Sequence, residues 1–521
     1  MKKKLILVFL FALVVCSCEN VTKGEFKGIV MRSAKTIDIG GGVYTIPSNF
    51  RSNLDKTDGI SVWTNRDNGQ QSDELGRKYS GVLGIRPYLD GYATVGNENH
   101  GSYRIPSITK TTLPDGKTTR LICAFDVRYR GTFKGDGDVG QNTAGSDITV
   151  MYSDDEGKTW TTAINKKTGT IPAIDVDNTY DGDGKTKAQT QENTLDVCDP
   201  QLTVFPDGTI YCGMAAGTGN MNVTYANFRL WVSTDYGASW EETTGSSANN
   251  QTKGTFFDKW MREIGKGFFK TGITTPGHGI VLKKDVPGSS NFKENQAVMP
   301  IFLNGNPTTN SGFGMYLATG NEKNPIDWST DSFAKTFFRW GNANQEESQI
   351  CQLDDGSILM YGKCYSKSMD EFSRFSNDQW TKLDNTISNG KNCQSGLLKV
   401  ADGDGKTKYG VVAFSYSGNS AGNASSLAQG GGRGNITICF ARDISAKEGV
   451  AATDFPLDQS EPYYLKVRTK GQSYFGYTDM VMINENVLGI IYETYDRDQE
   501  VNGMRFLRID VSAIIKELSE V

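Results

Sequence analysis

One eight-residue pattern occurs twice in this chain, as Ser153-Asp154-Asp155-Glu156-Gly157-Lys158-Thr159-Trp160 and as Ser233-Thr234-Asp235-Tyr236-Gly237-Ala238-Ser239-Trp240. Both copies read Ser-x-Asp-x-Gly-x-(Thr/Ser)-Trp. Each follows a short alternating apolar run, Ile148 to Tyr152 in one case and Phe228 to Val232 in the other, as a strand entering a tight hairpin does. The Asp carboxylate can accept turn amides, Gly supplies a positive φ, and the Trp starts the return strand and covers the turn. A hairpin signal that repeats predicts a repeated all-β unit, because one such unit cannot bury its apolar face alone.

Turn chemistry extends that rhythm along the chain. Asp115-Gly116, Asp207-Gly208 and Asp355-Gly356 each precede an apolar strand: Leu121 to Phe125, Thr209 to Gly213 and Ser357 to Tyr361. A degenerate third hairpin, Ser376-Asn377-Asp378-Gln379-Trp380, has lost its Gly but keeps Asp and Trp. With 59 Gly and few runs of helical spacing in 521 residues, the chain favours β structure. The spacing fits an all-β, six-bladed β-propeller with blades of roughly 70 residues, over 91–521. Residues 19–90 form a short β-rich segment, read either as a small β domain or as an arm packed on the propeller. Insertions at 131–146, 177–195 and 417–434 are rich in Gly, Asn and Asp, and long polar loops on a rigid scaffold are where sites are built.

Charge and rare residues exclude several functions. A formal net charge of −5 provides no basic field for nucleic acid. Residues 1–18 have the basic head and short apolar core of an export signal ending at Val15-Cys16-Ser17-Cys18, like a bacterial lipoprotein site with Cys18 as the lipidated residue. The expected location is the bacterial outer membrane, on its periplasmic or outer face, with the lipid as the sole membrane contact and the protein a monomer. No Cys-x-x-Cys pair occurs beyond Cys18, and His100 and His278 are the only two histidines, so neither a zinc site nor a His-based triad is supported. No metal or cofactor is expected, and any chemistry falls to carboxylates, Tyr, Arg and Lys.

From about residue 95 to 495 the chain resembles the bacterial sialidases, or neuraminidases, whose six-bladed propellers carry Ser-x-Asp-x-Gly-x-Thr-Trp boxes. The resemblance rests on ordered motifs. Tyr103-Arg104-Ile105-Pro106 is similar to the family's Arg-Ile-Pro segment, which makes Arg104 one of three arginines gripping the sugar carboxylate through a planar fork. Phe125-Asp126-Val127-Arg128 resembles the next segment, in which Arg128 helps hold a ring hydroxyl, and Cys198-Asp199-Pro200 places Asp199 beside it. The general acid/base then falls in the loop after Arg128, where Asp136 and Asp138 are rivals; the other readings of paired aspartates in a Gly-rich loop are a calcium-binding loop and a simply solvated one. Asp147 is read as structural, and His278, within Pro276-Gly277-His278-Gly279-Ile280, as site lining.

Glu346-Glu347-Ser348-Gln349 resembles the Glu-(Ala/Ser)-Gln motif whose Glu activates a tyrosine, with register favouring Glu347. Gly431-Gly432-Arg433-Gly434 is similar to the third-arginine segment, Phe475-Gly476-Tyr477-Thr478-Asp479 to the tyrosine motif, and Val487 to Glu493 to the strand whose Glu493 orients the first arginine. The pattern departs at the second arginine, where Lys363 stands. Lysine keeps the charge but loses the bidentate fork, so the carboxylate grip is weaker or differently shaped.

The resemblance implies hydrolysis with retention through a tyrosyl-glycoside: Tyr477 as nucleophile, Glu347 as its base, and an Asp of the 131–140 loop protonating the leaving oxygen. The expected activity is that of an exo-α-sialidase on sialylated or other acidic-sugar glycans. The alternatives are a hydrolase of another 2-keto-3-deoxy acidic sugar and a silent propeller that binds acidic glycans.

Overall fold

The computed structural model describes residues 36–38, 44–45, 60–65, 70–73, 78–80, 83–85, 100–131, 146–169, 171–175, 195–218, 227–243, 269–305, 314–323, 325–326, 337–338, 345–364, 371–383, 394–418, 434–458, 462–469, 476–496 and 501–520. Among these residues the strands make six sheets, and the one α-helix is Ser512–Ser519 near the C-terminus. Each sheet is built on an antiparallel meander of consecutive strands. The first runs His100–Thr112, Thr119–Gly131, Ser146–Ser153, Thr159–Thr162. The second runs Leu195–Val204, Ile210–Thr218, Asn227–Ser233, Ser239–Glu242. The third is centred on Ala297–Gly305 and Gly314–Gly320, and the fourth begins with Gln345–Gln352 and Ile358–Cys364. The fifth begins with Leu397–Ala401 and Gly410–Gly418, the sixth with Thr478–Met482 and Val487–Asp496.

Alternation explains how the sheets associate. Along Leu121-Ile122-Cys123-Ala124-Phe125 every residue is buried. Successive side chains point to opposite faces of a strand. Accordingly Leu121, Cys123 and Phe125 pack with Val481, Ile491 and Phe506 of the sixth sheet, while Ile122 and Ala124 pack with Leu202, Cys212 and Trp231 of the second. A continuous apolar run is what a strand covered on both faces requires. Further clusters lie between the second and third, third and fourth, fourth and fifth, and fifth and sixth sheets. The sixth thus packs back on the first, and the apolar surface of every sheet has a neighbour.

The two repeated hairpins have one hydrogen-bond plan. Ser153 Oγ accepts the Gly157 amide at 2.8 Å and donates to Asp155, whose carboxylate accepts the Thr159 amide at 2.8 Å and its hydroxyl at 2.7 Å. Ser233, Asp235, Gly237 and Ser239 repeat these contacts at 2.6–2.9 Å. Gly157 (φ 82°) lies against Phe506 of the sixth sheet and Gly237 (φ 87°) against Ile122 of the first, so each hairpin also docks its sheet on the preceding one. The degenerate third hairpin differs. Asn377 and Asp378 both have positive φ (54° and 53°) in a two-residue turn closed by Ser376 and Gln379, the backbone of a type I′ hairpin, which does without the missing Gly.

Short strands from residues 36–85 extend the outer edges of three sheets. Thr36–Asp38 pairs with Thr159–Trp160–Thr161, Ile60–Asn65 runs parallel to Tyr463–Thr469, and Leu83–Ile85 pairs with Phe506–Met504. Cys123, Cys198, Cys212, Cys351 and Cys439 are buried, and none of them is in a disulfide.

Candidate active site

Three first strands carry irregularities that aim residues toward one end of the sheets. The ladder slips between Arg104 and Ser107, between Cys198 and Gln201, and between Glu346 and Ser348. At each slip a non-glycine residue has positive φ: Ile105 at 57°, Asp199 at 58° and Glu347 at 38°. Such conformations cost roughly 1–3 kcal/mol each and persist where surrounding contacts over-determine them. The contacts are specific. Glu493 Oε1 accepts the Ile105 amide at 2.8 Å, and Asp126 Oδ1 accepts the Asp199 amide at 3.0 Å.

Tyr477, just before the first strand of the sixth sheet, meets Glu347 from the fourth. Its hydroxyl lies 3.0 and 2.9 Å from the two Glu347 carboxylate oxygens. The Arg104 guanidinium carbon stands 5.3 Å from the Tyr477 ring centroid, within cation–π range, and Arg104 Nε donates to Glu493 Oε1 at 3.1 Å. Glu493 Oε2 accepts the Tyr477 amide at 3.2 Å. One carboxylate therefore positions both Arg104 and Tyr477, and Ile105 packs with the Tyr477 ring. Arg104 and Glu493 are each 1% exposed, so the pair works where screening by water is weak. Chemically the arrangement offers a phenol that donates its hydroxyl hydrogen bond to a carboxylate, beside a fixed cation.

A second layer of buried polar contacts crosses the molecular axis beneath this group. Asp479, two residues beyond Tyr477, accepts the Ile108 amide at 2.8 Å and lies 2.8 and 3.1 Å from His278 Nδ1. The His278 amide donates to Gln349 Oε1 at 3.2 Å, and Gln349 Nε2 donates to the Pro276 carbonyl. Ser107 Oγ accepts the Leu202 amide at 3.1 Å and donates to the Gly277 carbonyl, while Gln201 Nε2 reaches the Thr275 and Pro300 carbonyls at 2.8 Å. These contacts fix how the first, second, third, fourth and sixth sheets meet, at positions where an unmatched polar group would be costly. Burial opposes a charge on His278, yet the Asp479 carboxylate outweighs it and holds the imidazole above its ordinary pKa.

Other predicted residues fall at the same end of the sheets. Arg128 pairs across the ladder with Ser102, one turn of the pleat from Arg104, and Lys363 pairs with Glu346. Asp199, 9% exposed, sits at the bulge of the second sheet. Arg433 directly precedes Gly434, the first residue of the strand Gly434–Asp443, and lies outside the described residues, as do Asp136, Asp138 and Cys18. Asp147 is fully buried. His278 supports the strand of Tyr477 from beneath, which is a different place from the site lining expected of it. Sequence reasoning passed over Asp126, Gln349 and Asp479. All three lie within the short segments that carry Arg128, Glu347 and Tyr477, and that adjacency was the available signal.

No protein-family model matches the chain, and a search of curated proteins gives no match. Solved structures do resemble it. The Hadza microbial sialidase Hz136 aligns with a TM-score of 0.51 at 18% identity, covering 85% of this chain and 72% of that one. The intramolecular trans-sialidase from Ruminococcus gnavus aligns at 0.50 and 14%, covering 82% and 97%. The leech intramolecular trans-sialidase aligns at 0.50 and 14%, covering 84% and 71%. The likeness is one of fold: an all-β chain with the β-propeller architecture of sialidases.

Proposed function

We propose that this chain is a retaining glycoside hydrolase of the exo-α-sialidase type, with its six sheets as the six blades of the propeller, releasing terminal sialic acid from glycoconjugates. The observation that carries the reading is the contact of the Tyr477 hydroxyl with both oxygens of Glu347, beside Arg104. A glycan-binding propeller has no use for a phenol held against a base.

Charge explains why a tyrosine suits this substrate. A sialoside bears a carboxylate on its anomeric carbon, and an anionic nucleophile would approach against repulsion, whereas a phenol is neutral. An ordinary phenol has a pKa of about 10, so it needs a base at the moment of attack. Glu347 takes the proton as the Tyr477 oxygen bonds to the anomeric carbon and the glycosidic C–O bond breaks. Asp136 or Asp138 protonates the departing oxygen and afterwards takes a proton from water, which attacks the same carbon, releases Tyr477 and regenerates the acid. Glu347 returns its proton to the phenol. Arg104, with Lys363 and Arg433, holds the substrate carboxylate, and Arg128 and Asp199 hold a ring hydroxyl. Export with lipidation at Cys18 would put the enzyme where glycans are met.

Lys363 favours a second reading, in which the natural substrate is another 2-keto-3-deoxy acidic sugar. Both are tested by incubating the purified protein with fluorogenic α-sialosides and with related keto-acid glycosides, alongside Lys363→Arg. Sialoside turnover supports the first reading. Turnover of the other glycosides only, with sialosides gained by Lys363→Arg, supports the second. Absence of turnover with glycan binding retained would overturn both.

A further inference from the structure

The face opposite Tyr477 and Glu347 has a cavity of about 620 Å³ on the molecular axis. It opens among the turns that join first and second strands, and residues of all six sheets line it. Its walls are apolar, with Val281, Ile350, Leu398 and Met482 among them, and its rim carries four lysines, Lys110, Lys283, Lys284 and Lys399, interspersed with Asp354, Asp402 and Glu485. That volume lies in the range of small-molecule sites, about 300–1,000 Å³.

The lysines at the rim are not equivalent. Lys283 Nζ is paired with Asp402 at 2.6 Å, Lys284 Nζ donates to the Asp354 carbonyl at 2.6 Å, and Lys399 is clasped by Asp354 and Asp443. Lys110 pairs through its backbone with Leu121 in the first sheet, but its ammonium makes neither an ion pair nor a hydrogen bond among the described residues. Partial desolvation at the cavity mouth, and then the like charge of Lys283, lower its pKa, so the ammonium stands where an anion would relieve it. Deeper in the cavity lies His278, 6% exposed, whose Nδ1 is taken by Asp479 and whose Nε2 has no partner among the described residues. Glu485, on the turn after Thr478–Met482, also lines the mouth and opposes an anion there.

We propose that this cavity is a second binding site, separate from the candidate active site, for a small amphiphilic anion: a carboxylate held by Lys110 at the mouth with an apolar tail along Val281, Leu398 and Met482. Neither part of such a ligand suffices alone. The tail supplies hydrophobic burial, and Lys110 supplies orientation and charge.

Calorimetric titration of the full chain with octanoate, 1-octanol and inorganic phosphate tests this directly and needs no turnover. Octanoate is expected to bind saturably at one site, at least about fivefold more tightly than octanol or phosphate, as one partly exposed charge contact predicts. Lys110→Ala should erase that preference, Lys110→Arg should keep it, and Glu485→Gln should strengthen octanoate binding. Both positions are at the solvent-facing mouth, so the variants should fold. No saturable octanoate binding, equal binding of octanol, or unchanged octanoate affinity in Lys110→Ala would overturn the proposal.

Discussion

His278 Nδ1 lies 2.8 Å from Oδ1 of Asp479, joining the inner edge of the second sheet, where Leu202 pairs with His278, to the sixth sheet two residues along the chain from Tyr477. The ion pair is buried, with side chains 8% and 0% exposed. Breaking one side of a buried pair leaves the other uncompensated, which makes this contact a point where stability and site geometry are joined.

Its pH dependence has a definite sign. The folded state holds His278 above its ordinary pKa, which is about 6.5 in an unfolded chain. The pair's contribution is therefore complete below about pH 6.5 and declines as pH rises through the folded pKa. Thermal denaturation across pH 6 to 9 should show stability falling more steeply in the wild type than in His278→Gln. Parallel slopes would show that His278 is not charged in the fold.

Glu493 serves three donors: Arg104 Nε, the Ile105 amide and the Tyr477 amide. Glu493→Ala leaves a buried guanidinium and two buried amides without it, so it should cost about 3–5 kcal/mol in denaturant unfolding. Glu493→Gln should be milder, since one oxygen still accepts, but its amide nitrogen meets a donor where the second oxygen was. Turnover by the Gln variant should fall even where it is fully folded. Full activity in folded Glu493→Gln would remove Glu493 from the positioning of Tyr477.

The strands and their turns were legible in the sequence because the signals are local. Asp-Gly turns, alternating runs and the paired hairpins are each written within about ten residues. The Tyr477–Glu347 contact of the candidate site was legible only through short motifs whose order could be matched, since the two residues are 130 apart and nothing local says that they meet. What escaped was the layer beneath. A buried Asp479 or Gln349 looks like any polar residue until the axis is built and its partners on other sheets are known. Backbone conformation escaped as well: no propensity rule anticipates a β-branched Ile105 at a φ of 57°.

The repeated hairpins should matter for stability and not for chemistry. They join third and fourth strands, at the opposite ends of the sheets from Tyr477. A Cβ on Gly237 would stand 2.9 Å from Ile122 Cγ1, on a residue with φ of 87°. Gly237→Ala therefore combines left-handed strain with overpacking, and should cost about 2–4 kcal/mol. At a temperature where the variant remains folded, kcat/KM should stay within about threefold of the wild type, a change of under about 1 kcal/mol in the barrier. A larger loss in kcat at full folding would tie the hairpin to the site.

Tyr477 and Glu347 should act as one unit, and a double-mutant cycle tests it. Glu347→Gln keeps the shape of the side chain but cannot take the phenol proton, so kcat should fall about 10²–10⁴-fold. Tyr477→Phe removes the proposed nucleophile, and its loss should be at least as large. Once the nucleophile is gone the base has nothing to activate. The double variant should then be no slower than Tyr477→Phe alone, the non-additivity of groups that share one step. Tyr477 is 5% exposed and Phe fills nearly the same space, so the Phe variant should unfold at close to the wild-type temperature, which separates lost chemistry from lost fold. Independent, multiplicative losses, or a Tyr477→Phe variant with a tenth of wild-type turnover, would mean that the phenol does not attack the anomeric carbon.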